Sequence, residues 1–110
     1  MRAYVGPVLL GYLNVRVNAP RGAVARGQRA LARYAAKEGF ALGTVFVEQD
    51  LNRPLSALAA LIEVAKRDDL HAVAVPTPKD LGSLPRVQQL TRQMLEREAG
   101  VRVLVVEPVS

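Results

Sequence analysis

Arginine is the residue type in this chain best suited to chemistry on a charged partner. Arg16, Arg21 and Arg26 lie close together near the start, and Arg53 stands in a later polar stretch. A guanidinium is always charged and offers a planar fork of donors that fits a phosphate or a carboxylate. Arg16 is distinguished by its place. The run "GYLNVRVNAP", from Gly11 to Pro20, is apolar until Arg16, then passes through Asn18 into a proline. It reads as a buried strand that delivers a cation and an amide to its own end. The early basic stretch that holds Arg16, Arg21 and Arg26 hints at phosphate contact.

The nucleophiles are fewer. There is no cysteine and a single histidine, His71, which excludes thiolate chemistry and disfavours both histidine-based metal sites and Ser-His triads. Hydroxyls near expected loops are Thr77 and Ser83; Ser56 falls in a helical stretch and Ser110 at the terminus. Glu48, Asp50 and Asp80 also follow apolar runs. Together they could offer oxygen ligands to a divalent cation, but such residues more often cap helices or pair with arginines, and neither metal nor cofactor is expected. Neither G-x-G-x-x-G nor G-x-x-x-x-G-K-[ST] follows a strand, which argues against nucleotide binding.

The charge balance, 15 Lys+Arg against 10 Asp+Glu, permits a polyanionic partner. Its distribution says more: Arg16, Arg21, Arg26, Arg29, Arg33 and Lys37 all precede the first acidic residue, Glu38. With 110 residues the chain suits one domain, residues 1–110. No apolar run reaches the ~20 residues of a membrane span, and the first strand has no cleavage signal after it. A cytoplasmic protein without a membrane partner is expected.

These residues must be positioned by alternating strands and helices. Val8 to Val17 reads as a strand, Ala23 to Glu38 as a helix closed by Gly39, and Thr44 to Glu48 as a second strand. Pro54 opens a second helix with Leu55, Leu58, Leu61, Ile62 and Ala65 as its apolar stripe. "LHAVAVP" is a third strand, "TPKDLGSLP" a loop, and Leu84 to Ala99 a third helix with Val87, Leu90, Met94 and Leu95 inward. "VRVLVVEP" is the fourth strand. The fold class is α/β, a three-layer sandwich with a mostly parallel four-stranded sheet and three helices. Ligands of such sheets bind beyond the carboxyl ends of the strands, which selects three loops: Arg16 to Gly22, Glu48 to Arg53, and Thr77 to Ser83.

The contents of those loops resemble the N-terminal catalytic domain of the resolvase/invertase serine recombinases. In "VRVN", Arg16 and Asn18 fall on the arginine and serine of the family's Y-x-R-V-S pattern. A second register places Tyr12 on the tyrosine and Arg16 on the serine. "QRALARYAAKEGF" resembles the family's Q-x-x-L helix. "VFVEQDLNRP" resembles F-x-D-x-x-x-S-G…R-P, with Glu48 at the aspartate, Asn52 at the serine, and Arg53-Pro54 at R-P. "PKDLGS" resembles D-R-L-G-R, with Asp80 and Ser83 at the two arginines. The resemblance runs from about Leu9 to Val106.

The resemblance implies a resolvase-like catalytic domain whose serine attacks a DNA phosphodiester while arginines neutralise the phosphate; it makes Arg16 and Arg53, with Arg21 and Arg26, the expected DNA-phosphate contacts. Arg16, Asn18, Glu48, Asn52, Asp80 and Ser83 are then degenerate active-site positions. Asparagine and arginine cannot act as the covalent nucleophile, and an acid in place of an arginine removes transition-state stabilisation. The expectation is an inactive recombinase-like protein without catalytic residues, and without the DNA-binding domain that follows in the family. It would act by weak, non-specific DNA binding, or by association with itself or an intact recombinase. The alternatives are a small-ligand-binding α/β module and a residual phosphodiester-cleaving enzyme using Ser83 or Thr77. An interaction role through an exposed helix would need large apolar residues on an outer face, which the alanine-rich helices do not suggest.

Overall fold

The computed structural model describes residues 6–16, 18–49 and 52–107. The elements are β1 (Val8–Asn14), α1 (Ala23–Glu38), β2 (Ala41–Glu48), α2 (Ser56–Arg67), β3 (Ala72–Val75), a short 3-10 helix (Pro78–Leu81), α3 (Pro85–Ala99) and β4 (Arg102–Val105). All strand pairs are parallel, in the order β2-β1-β3-β4. The chain steps outward from β1 to β2, then returns across β1 to β3. Right-handed crossovers therefore put α1 on one face and α2 and α3 on the other.

Strand alternation builds both cores. Leu9 and Leu13 of β1, with Ala72 and Ala74 of β3, pack against Leu31 and Ala35 of α1. Leu10, Tyr12, Val73 and Val75 face Leu58, Leu61, Ala65 and Leu95 of α2 and α3. Two glycines let α1 approach: a Cβ on Gly11 would lie 2.7 Å from Leu31 Cδ1, and one on Gly27 2.8 Å from Leu13 Cδ2.

Four sequence expectations are corrected. β1 stops at Asn14, short of Val17: Asn14 makes its last pair with β2, at Glu48, and on the other edge, where pairing with β3 ends at Gly11, the Asn14 N–H donates to Asp80 Oδ1 at 3.0 Å; Val17 itself lies outside the described residues. β2 begins at Ala41, before Thr44, since Ala41 pairs with Val8 and its N–H donates to the Pro7 carbonyl. α2 begins at Ser56, not Pro54; Leu55 precedes it with φ 65° and is 55% exposed, so it does not belong to the buried stripe. In α3, Leu95 is buried, but Val87 and Leu90 are 42% and 58% exposed. Gln88 and Arg92 take the inner flank there, donating to the carbonyls of Gly82 and Val103 at 2.9 Å each. Leu84, Val87 and Leu90 thus give α3 the outer apolar positions that the sequence did not suggest.

Candidate phosphate-binding cleft

The direction of the chain reverses between β1 and β3, and a cleft opens beyond their carboxyl ends. This is the position at which doubly wound sheets bind ligands. It encloses about 1020 Å³ between the β1 turn, the first turns of α1 and the 3-10 helix. Arg16 and Asn18 line it on a tight turn closed by the Ala19 N–H donating to the Arg16 carbonyl at 3.0 Å. Arg26, Arg29 and Arg33 enter from α1, and Thr77, Lys79 and Asp80 from the segment after β3. Five cations thus meet two carboxylates, Asp80 and Glu107.

Asp80 is committed to the fold. Its Oδ1 accepts the Asn14 N–H, and its Oδ2 accepts the Thr77 N–H and Thr77 Oγ1–H, each at 3.1 Å. Thr77 and Asp80 form a reciprocal capping box on the 3-10 helix, with Pro78 at its first position. The spacing T-P-K-D carried that signal, although the stretch reads as a plain loop on composition alone. The carboxylate also pins the end of β1 to the end of β3, which fixes the cleft's floor.

Glu48 is also committed to the fold, away from the cleft. It is buried, and its carboxylate accepts the Tyr12 hydroxyl at 2.8 Å and the N–H groups of Ala57 and Leu58 at 3.1 Å each. Ser56 Oγ lies at 3.5 Å. Ala57 and Leu58 are the second and third residues of α2, whose own cap position, Leu55, supplies no side-chain bond. Glu48 therefore does from β2 what a local N-cap does, and its charge faces the favourable end of the helix dipole. Burial, then the hydrogen bond and the negative charge of Glu48, with a smaller contribution from Asp80, push the Tyr12 phenol well above its ordinary range.

The other sequence candidates scatter. Arg21 is exposed beside the cleft, its carbonyl accepting from Arg26 Nη1 at 3.3 Å. Arg53 borders a separate shallow depression with Ser56 and Glu63, on the α2 side. Asn52 lies in the turn before α2, and Ser83 is exposed between the 3-10 helix and α3; neither lines the cleft. Asp50 lies outside the described residues. Glu48 and Asp80 sit in separate hydrogen-bond networks and share no site. His71 is exposed at the opposite end of β3, with Nε2 3.3 Å from Asp69 Oδ1. Arg29 and Arg33, noted in the sequence only as part of the early basic run, and Lys79 are the cleft cations outside the expected phosphate contacts. The three- and four-residue spacing of Arg26, Arg29 and Arg33 was the available signal for the first two.

No family model matches the chain, and no curated protein matches it in sequence. Solved structures do. The C-terminal catalytic domain of ISC1926 TnpA, an IS607-like serine recombinase, aligns with a TM-score of 0.72 at 16% identity, over 94% of this chain and 72% of that one. The N-terminal catalytic domain of TP901-1 integrase aligns with a TM-score of 0.71 at 14% identity, over 90% of this chain and 76% of that one. The fold is that of a serine recombinase catalytic domain. At these identities the likeness shows the fold alone. Within this resolvase-like fold, β1 carries Tyr12 and Asn14, while Arg16 and Asn18 follow it. No described helix is long and apolar enough to cross a membrane.

Proposed function

We propose that this recombinase-like domain binds nucleic-acid phosphates without cutting them. The observation that carries the reading is the lining of the cleft: five cations converge where the resemblance places a recombinase's reactive serine, and the residues there are Arg16 and Asn18. Asp80 has both oxygens engaged by the fold, so Glu107 is the cleft carboxylate left to face five cations, an excess of positive charge that suits an external anion. Arg16 and Arg26 make the phosphate contacts, Arg21 contributes from the rim, and Arg53 serves a different surface. Such contacts are independent of sequence and weaken with salt. Association with a second copy, or with an intact recombinase, is the other partner class that the fold supports.

The test is a gel-shift titration on mixed-sequence duplex DNA at low salt. Arg16→Ala with Arg26→Ala should weaken binding at least tenfold. Equal affinity of this variant and the wild type would remove the cleft from the account.

One contact favours a second reading. Thr77 is the hydroxyl residue that lines the cleft, and its Oγ1 donates to Asp80 Oδ2. In a residual phosphodiester-cleaving enzyme, Thr77 Oγ1 would attack phosphorus and pass its proton to Asp80, which would return it to the sugar oxygen as the phosphorus–oxygen bond to the sugar breaks. The capping box accounts for the same contact without chemistry. Cleavage that disappears in Thr77→Val while the fold persists would establish the enzymatic reading.

A further inference from the structure

We propose that the nucleic acid is a duplex and that its backbone runs along the solvent face of α1, held by Arg26, Arg29, Arg33 and Lys37. The inference rests on the phosphate-binding reading and extends it from the cleft to the helix.

Residues 26, 29, 33 and 37 recur at three- and four-residue steps, so they stack on one face of α1. All four are exposed. At 1.5 Å per residue the ladder extends about 16 Å, long enough to meet several consecutive phosphates of one strand. Arg26, Arg29 and Arg33 also border the cleft, so the ladder and Arg16 form one continuous basic surface. Exposed Ala25, Ala32 and Ala36 lie alongside and leave room for close approach.

The other helices differ. α2 sets Glu63 among its cations, and α3 sets Glu96 and Glu98 around Arg97, whereas α1 carries no acid before Glu38 at its end. Among the described residues, the ion pairs are Arg67–Asp68 and His71–Asp69, and neither involves the ladder. Among the described residues, the lack of stacking groups at the cleft favours a duplex. Single-strand binders stack bases on aromatic side chains, but no aromatic lines the cleft, and Tyr34 of α1 packs against the core.

The test measures affinity of the full chain for a mixed-sequence duplex across a salt series. It compares wild type with Arg33→Ala/Lys37→Ala and with Arg16→Ala/Lys79→Ala. These are exposed positions, and alanine suits a helix. The ladder variant should lose tenfold or more at low salt, and its log–log salt slope should flatten by roughly 1.8, or ~0.9 for each lost phosphate contact. A ladder variant that matches wild type, while the Arg16/Lys79 variant weakens, would overturn the track and leave the cleft reading standing. Tighter binding to the single strand than to its duplex would overturn the duplex assignment. No binding by the wild type at low salt would overturn both readings.

Discussion

The Tyr12 hydroxyl donates to Glu48 Oε1 at 2.8 Å, and through that carboxylate β1, β2 and the start of α2 are tied at a single buried point. Glu48→Ala leaves two helix N–H groups and a buried phenol without their acceptor. The expected loss is about 3 kcal/mol, the scale of unsatisfied buried donors that faced a charged partner. The check is a urea titration: the midpoint should fall with the slope unchanged. Glu48→Gln, which keeps the shape and one acceptor oxygen, should lose roughly half as much.

The same contact makes alkaline stability depend on Tyr12. Its folded phenol is held above the ordinary range, mainly by burial and then by Glu48. The stabilisation is complete below the unfolded value near 10 and is lost as pH rises beyond it, because only the unfolded chain releases the proton. Above that pH the unfolding free energy should fall by about 1.4 kcal/mol for each further pH unit. Tyr12→Phe should remove this component from a pH series of urea titrations.

Gly11→Ala tests the approach of α1 to the sheet. The added methyl would meet Leu31 Cδ1 at 2.7 Å and Val45 Cγ2 at 3.1 Å. Leu31 is fully buried and cannot swing clear. Overpacking of this kind costs about 1–3 kcal/mol, and thermal unfolding of the variant should show it as a lower Tm.

α3 offers a contrast within one helix. Leu95 is fully buried, so Leu95→Ala should cost about 2–5 kcal/mol. Leu90 is 58% exposed, so Leu90→Gln should stay within about 0.5 kcal/mol. Equal losses at the two positions, measured by urea titration, would mean that the helix is rotated from the orientation described.

The strand-helix alternation and the parallel sheet were legible because buried parallel strands read as continuous β-branched runs, as in "AVAV" and "VLVV". The cleft was legible in Arg16, Asn18 and Arg26, since sheet topology fixes where loops converge. Glu48 was not. A carboxylate after β2 looks like a site residue, and only the tertiary fold brings it to the N–H groups of Ala57 and Leu58. The inward face of α3 was misread for a related reason: Gln88 and Arg92 are polar by type but find backbone carbonyls, which displaces Val87 and Leu90 outward. Periodicity cannot anticipate a partner supplied from another element.

Binding to phosphates without cleavage separates this domain from a working recombinase. The most direct measurement incubates the protein with end-labelled duplex DNA at low salt and splits the sample between a native and a denaturing gel. The expected result is a retarded band on the native gel and, after denaturation, full-length DNA free of protein. Label that stays attached to the protein after denaturation, or a shortened strand, would contradict it by showing that a nucleophile remains. A native gel without a retarded band would contradict it from the other side.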